Sequence, residues 1–270
     1  VTNVALGLRP RTPWFNRLSH QVPCALLAPV LARTLNPLRA RYGLPPIRRY
    51  ADLVYRDDVL FAVDPVFYPV PADWAIRAHQ TGFWWFDDGT PLPAELLRFL
   101  DAGDAPVYVG FGSMPAKDQA RRTEIIVDAL QRTGRRGIVS AGWTGLGAAR
   151  LPPGILTIGP VAHARLFPRC AAVVHHAGAG TSAAASLAGV PQLPVPHGFD
   201  QPAWAQRLCE LGVAKTILPY RFDAPALADA LVATLGDAKV HAAATALREH
   251  LSGRDGASDA ADWIESRYRR

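Results

Sequence analysis

From about residue 104 onward, short apolar runs alternate with segments whose apolar residues recur every three or four positions, the pattern of successive β-α-β units around a parallel sheet. Strands are predicted over 106–112, 136–141, 155–158, 171–175, 192–195 and 214–218. Between them, 119–133 sets Ile125, Ile126, Ala129 and Leu130 on one helical face, and 203–211 and 224–235 carry similar spacing. The fold class expected for this half is α/β, a doubly wound parallel sheet. The first hundred residues read differently. Pro- and Arg-rich stretches at 9–13 and 44–49 interrupt a helical segment over 25–42. Two short strand-like pieces, 59–63 and 78–83, follow and are too few for a sheet that stands alone. A polar linker containing Gly and Pro at 87–93 sets the predicted boundary, with one domain over 1–90 and another over 91–270.

Composition narrows the class. The 270 residues, 49% of them hydrophobic, are enough for one large or two modest cores. A net charge of +6 invites a nucleic-acid reading, but the arginines are scattered singly or in pairs, with no basic stripe interleaved with aromatics. No nucleic-acid partner is expected; attraction for phosphates, or peripheral contact with an anionic membrane surface, explains the charge more simply. No apolar run is long enough to span a bilayer and no leader pattern opens the chain, so a cytoplasmic setting is expected. Cys24, Cys170 and Cys209 match no metal-ligand spacing and are expected to be buried thiols.

The chemistry concentrates in Val173-Val174-His175-His176-Ala177-Gly178-Ala179-Gly180-Thr181-Ser182, a β-branched strand that ends in small residues and opens a helix. Such a turn aims backbone amides and the positive end of the helix dipole at an anion. Glycines allow close approach, Thr181 and Ser182 can donate hydroxyls, and an imidazole at the strand end can donate to phosphate. Gly110-Phe111-Gly112-Ser113 repeats the device after the first strand, and two such loops facing one crevice suit a diphosphate. Either loop alone reads equally as a tight strand-to-helix turn. Gly178, Gly180 and Ala183, with Asp200 downstream, also fit a loose dinucleotide fingerprint, which keeps an NAD-dependent enzyme as an alternative. Against that alternative, the motif comes late in the domain and Asp200 lies in a loop beyond a Pro-bounded strand.

Five ordered motifs decide the reading: Val109-Gly110-Phe111-Gly112-Ser113-Met114, Ser140-Ala141-Gly142-Trp143, Leu166-Phe167-Pro168, His175-His176-Ala177-Gly178-Ala179-Gly180-Thr181 and Asp200-Gln201. In their order and spacing, over roughly residues 60–235, the sequence resembles the donor-binding domain of family 1 glycosyltransferases, in particular the bacterial antibiotic glycosyltransferases and the sterol glucosyltransferases. The resemblance implies a GT-B architecture, with a Rossmann-like donor domain and the remnant of a second Rossmann-like domain. It implies an inverting transfer of a sugar, glucose foremost, from a UDP- or dTDP-sugar to a hydroxyl of a small lipophilic acceptor, with no cofactor besides the donor. No Asp-x-Asp pair adjoins the phosphate loops, so no metal is expected.

By the same resemblance His176, Gly178, Gly180 and Thr181 hold the diphosphate, with Ser113 contributing from the first loop. Asp200 and Gln201 hold the sugar hydroxyls. Trp143 and the backbone of Val161 contact the base, although Trp143 reads equally as a core aromatic. His175, one place earlier than His176, points the other way by strand alternation. Where plant members of the wider family carry a ribose-binding glutamate, this chain has Ala184, which leaves UDP and dTDP donors both open.

The family's general base, a histidine in a Gly-rich segment near the start of the first domain, has no counterpart here. Asn16-Arg17-Leu18-Ser19-His20 resembles a later part of the acceptor domain, so His20 and His79 are expected to be structural or to line substrate. Three arrangements fit: a truncated enzyme, one subunit of a split transferase whose partner chain supplies the missing segment, or a non-catalytic nucleotide-sugar-binding subunit or sensor. The first is favoured. The C-terminal segment 257–268, with Ala260, Ile264 and Tyr268 at helical spacing, is expected by resemblance to cross back to the first domain.

Overall fold

A computed structural model describes residues 12–49, 58–71, 77–85, 89–112, 118–141 and 151–269. In chain order the elements are α1 Pro13–Arg41, β1 Asp58–Phe61, β2 Arg77–Gln80, α2 Ala94–Asp101, β3 Val107–Gly110, α3 Gln119–Arg132, β4 Gly137–Ser140, β5 Ile155–Ile158 and α4 His163–Leu166. They continue with β6 Ala172–His175, α5 Ala179–Ala188, β7 Gln192–Pro194, α6 Gln201–Glu210, α7 Ala224–Leu235, α8 Ala238–Leu251 and α9 Gly256–Tyr268. These residues form two compact units, Val1–Trp85 with Arg254–Arg270, and Phe86–Gly253.

The larger unit is an α/β sandwich on an all-parallel sheet of order β5-β4-β3-β6-β7. Its central strands are buried throughout and apolar but for His175 at the end of β6, as a sheet covered on both faces requires. On one face α3 and α7 pack together, and Ile126, Leu130, Leu227 and Leu231 close over Val107, Val109, Val174 and Leu193. On the other, α5 packs against α4 and α8. Helix starts are fixed locally by aspartates: the side chains of Asp118, Asp223 and Asp237 accept from the first-turn amides of α3, α7 and α8.

The predicted strand at 214–218 does not form. The segment runs beside β7 and makes one bridge, Gln192 to Ala214, with Lys215 N donating to Gln192 O at 3.2 Å and Ile217 N to Pro194 O at 3.0 Å. Pro194 has no N–H for the next rung, so the ladder is interrupted. The proline rule misleads in the opposite direction at the N-terminus. Helix α1 begins at Pro13, twelve residues before the predicted start, and continues through Pro23, Pro29 and Pro37. Helices α2 and α8 were not anticipated.

In the smaller unit β1 and β2 pair in parallel, Asp58 opposite Arg77 through Phe61 opposite Gln80, and α9 joins them. Asp64, 1% exposed, receives Arg254 Nη1 at 3.0 Å just before α9 starts. Asp58 takes Arg267 Nη2 at 2.9 Å, and His79 bonds Asp259 at 2.9 Å while its ring stacks on Trp263. A Cβ at Gly256 would meet the carbonyl oxygens of Phe83, Thr81 and Gly82 at 2.6 to 2.8 Å, so only glycine lets the helix start this close to the chain. The return of α9 to the N-terminal unit cuts across a linear division of the sequence at 90/91. Cys170 alone of the three thiols is buried, with its pKa pushed up to about 12 by burial; Cys24 and Cys209 are half-buried. Among the described residues no helix is long and apolar enough to cross a membrane.

Candidate functional site

The chain winds outward in both directions from the β3–β6 boundary, β4 and β5 to one side and β7 to the other. This is a topological switch point, where the loops leaving adjacent parallel strands diverge and open a crevice at their carboxyl ends. Four of the five motifs singled out in the sequence follow the carboxyl end of a strand of this sheet, whereas Leu166-Phe167-Pro168 lies at the end of α4, with Leu166 and Phe167 buried in the interior. Gly112 follows β3, Val161 follows β5, His176 to Thr181 follow β6, and Asp200 and Gln201 follow β7. Ser113, and Trp143 beyond β4, lie outside the described residues.

At the centre stands His176. A Cβ built on Gly178 would lie 2.5 Å from its Nε2, and one on Gly112, where φ is +59°, would lie 3.1 Å from its Cε1. The two glycines, one from each loop, leave the space that the imidazole fills. Its Nδ1 is buried with no hydrogen-bond partner among the described residues. Burial lowers its pKa, and the Asp200 carboxylate opposes that shift, which ties the β6 loop to the β7 loop electrostatically. His163 is lowered likewise by burial and then by the charge of His176.

Gly178 is the N-cap of α5 and offers no side chain, so the amides of Ala179, Gly180 and Thr181 begin the helix without intrahelical partners and, among the described residues, without a side-chain cap. Gly180 is exposed and a Cβ there would meet nothing within 4 Å. The result is an uncapped, positive helix end beside a neutral imidazole, a site matched to a phosphate group. Ser182 is different. It is fully buried, so its hydroxyl faces the interior and not the loop surface, correcting the expectation that it can donate there. His175 is also fully buried, as strand alternation requires, and burial lowers its pKa to about 3.

The β7 loop carries its own framework. Gln201 is buried and its Oε1 accepts from His197 N at 2.8 Å and Gly198 N at 3.3 Å, while Asp200 Oδ2 accepts from Trp204 Nε1 at 3.1 Å. The carbonyl of Gln201 is thus committed to holding the loop. Between Asp200 and Gly198, Phe199 is 80% exposed with φ of +56°, a strained conformation for an aromatic residue and one of the features the sequence did not signal. Arg122 was also missed. From α3 its Nη2 donates to His197 Nε2 at 2.9 Å and its guanidinium lies 5.0 Å from the centre of the Phe111 ring, joining the β3 loop to the β7 loop. Because arginine only donates, His197 must carry its proton on Nδ1 and stay neutral; burial and then the Arg122 charge lower its pKa. Among the described residues no cluster of His, Cys, Asp or Glu is arranged to hold a metal ion.

Residues 137–263 match the family model of the erythromycin biosynthesis protein CIII-like C-terminal domain. The chain is 37% identical over 260 residues to a sterol 3-beta-glucosyltransferase of Arabidopsis thaliana, an alignment covering 93% of this chain and 41% of that protein. It is 43% identical over 232 residues to the vancomycin aglycone glucosyltransferase of Amycolatopsis orientalis, covering 84% and 54%. The crystal structure of the glycotransferase of kitacinnamycin superposes with a TM-score of 0.68 at 22% identity, covering 89% of this chain and 66% of that one. The chain therefore spans about half the length of the curated relatives it matches. It is homologous to the sterol and antibiotic glycosyltransferases, has their GT-B type α/β architecture, and carries an EryCIII-like C-terminal domain.

Proposed function

We propose that this chain is the donor-binding part of an inverting glycosyltransferase that moves glucose from UDP-glucose to a hydroxyl of a small lipophilic acceptor. The observation that supports it best is the β3–β6 switch point, where the N-terminus of α5, without a side-chain cap, adjoins the His176 imidazole framed by Gly112 and Gly178. Glucose is favoured because the sterol and vancomycin relatives are both named glucosyltransferases. A dTDP-sugar remains the alternative donor.

In this reading His176, Gly178, Gly180 and Thr181 bind the diphosphate, joined by Ser113. Asp200 accepts from sugar hydroxyls beside Gln201, and Trp143 and the Val161 backbone contact the base. The acceptor oxygen attacks the anomeric carbon as the bond to the diphosphate oxygen breaks, and the charge that develops on the leaving group falls to the α5 amides and His176. The acceptor's proton goes to a general base that we assign to no residue of this chain. Stabilisation of that charge by the helix dipole and an imidazole N–H makes a metal unnecessary to the scheme, and no cofactor enters it. Three free thiols suit a reducing, cytoplasmic setting.

Calorimetric titration of the chain with UDP, UDP-glucose, dTDP-glucose and NAD tests the proposal. Binding of the uridine nucleotides with no binding of NAD is expected. Binding of NAD in their place would overturn the reading.

A further inference from the structure

We propose that His175 is a positioning residue: through a buried chain of hydrogen bonds it fixes the peptide of Ala177, and so aims the phosphate-binding amides that follow. The inference rests on the donor-site reading above. The chain of bonds has a single consistent direction. Ala177 N–H donates to His175 Nδ1 at 3.1 Å, which leaves the proton of the neutral ring on Nε2, donating to Gln192 Oε1 at 3.0 Å. Gln192 Nε2 then donates to Ser186 Oγ at 2.9 Å, and the Ser186 hydroxyl to Ser182 O at 2.8 Å. His175, Ala177, Ser182 and Gln192 are at 0% exposure and Ser186 at 2%, so a break anywhere strands a buried polar group without solvent to replace the partner.

What the chain connects gives it a functional consequence. It joins the end of β6, the loop, the second turn of α5 and β7, four of the pieces that border the β3–β6 switch point. Its first bond falls on Ala177, a non-glycine residue with φ of +65°. An L-residue held in the left-handed region needs its surroundings to enforce that geometry. The peptide so fixed leads directly into Gly178 and the uncapped amides of Ala179 to Thr181. Loss of the Nδ1 acceptor would let Ala177 relax toward negative φ and swing those amides away from a diphosphate.

Two substitutions separate positioning from simple packing. In His175→Asn the side-chain oxygen stands where Nδ1 stood and can still accept from Ala177, while the reach to Gln192 is lost. In His175→Gln the far end can still reach Gln192, while the acceptor beside Ala177 is lost. Both variants lose thermal stability, because each breaks a buried network. We expect calorimetry to give UDP affinity within about threefold of the unmodified chain for H175N and weaker by about tenfold or more for H175Q, the cost of misplacing binding groups. Equal losses in the two, or a loss that merely follows thermal stability, would overturn the inference. Should either variant fail to fold, NMR of the unmodified chain decides: a through-hydrogen-bond coupling between the Ala177 amide nitrogen and an unprotonated His175 Nδ1 is expected, and a protonated Nδ1 would contradict it. Failure of the unmodified chain to bind UDP would instead strike the donor-site reading itself, leaving the Ala177–His175 bond as structure alone.

Discussion

His176 Nε2 lies 2.5 Å from where a Cβ on Gly178 would stand, so the imidazole and that glycine occupy complementary volumes in one loop. A methyl at 178 must therefore displace the ring. Gly178→Ala is expected to leave the fold intact, since φ of −66° and ψ of 145° at that position suit any residue. It should nonetheless weaken UDP binding by about tenfold or more, through the misplaced imidazole. Thermal melting and UDP titration of the same preparation check both halves of the expectation.

Gly180 presents the converse case. A Cβ there meets nothing within 4 Å, and the residue sits in the first turn of α5. Gly180→Ala should be neutral or stabilising by up to about 1 kcal/mol, because alanine loses less backbone entropy in a helix. Gly180→Val, whose branches extend into the space an approaching phosphate would use, should fold normally and lose UDP affinity. Unaltered affinity in the valine variant would move the diphosphate away from this turn.

The buried histidines fix the response to acid. His163, His175, His176 and His197 all have pKa values lowered mainly by burial, His175 to about 3. Between that value and an unfolded value of about 6.5, the unfolded chain binds protons that the folded chain does not. The stability due to neutral His175 is complete above about pH 6.5 and is lost as pH falls toward 3, at about 1.4 kcal/mol per pH unit, with the others adding in the same direction. Melting temperatures measured stepwise from pH 7.5 to pH 4.5 should hold to about pH 6.5 and fall below it. A flat profile would contradict the buried, neutral assignments.

Arg254 anchors the return of the C-terminal helix. Its guanidinium meets Asp64, which also accepts from Val66 N at 2.9 Å and is almost wholly enclosed, whereas Arg254 is half-exposed. Arg254→Ala removes this ion pair from a buried carboxylate, and the cost, reduced from a fully buried pair by the exposure of the arginine, is on the order of 1 to 2 kcal/mol. Limited proteolysis should then cut near α9 sooner than in the unmodified chain, and mass analysis of the fragments locates the cut.

How much of this was legible in the sequence depends on what kind of physics set each feature. Strands β3 to β7 announce themselves because a sheet buried on both faces demands continuous apolar runs, and α7 was predicted to its end residues because Asp223 caps it and its apolar spacing is regular. The segment from His176 to Thr181 was legible as a strand-to-helix turn because small residues follow a β-branched strand there. Long-range contacts were not legible. That Arg122 on α3 would reach His197, or that Gln192 would join His175 to Ser186, depends on which strands become neighbours, and no local pattern encodes it. Pro194 carried the warning that the next strand would fail, since a strand without an N–H cannot complete a rung, but the apolar run at 214–218 reads as a strand in isolation. In α1 the alanines and leucines carry the helix through three prolines that were expected to confine it.

The most direct test of the donor site is where UDP lands. Amide and imidazole NMR spectra of the chain, recorded while UDP is added, should show the largest shifts at Gly112, at His176 through Thr181 and at the His176 ring, with Asp200 moving less until UDP-glucose replaces UDP. Shifts concentrated elsewhere in the Phe86–Gly253 unit, with those residues still, would contradict the assignment of the β3–β6 switch point as the diphosphate site.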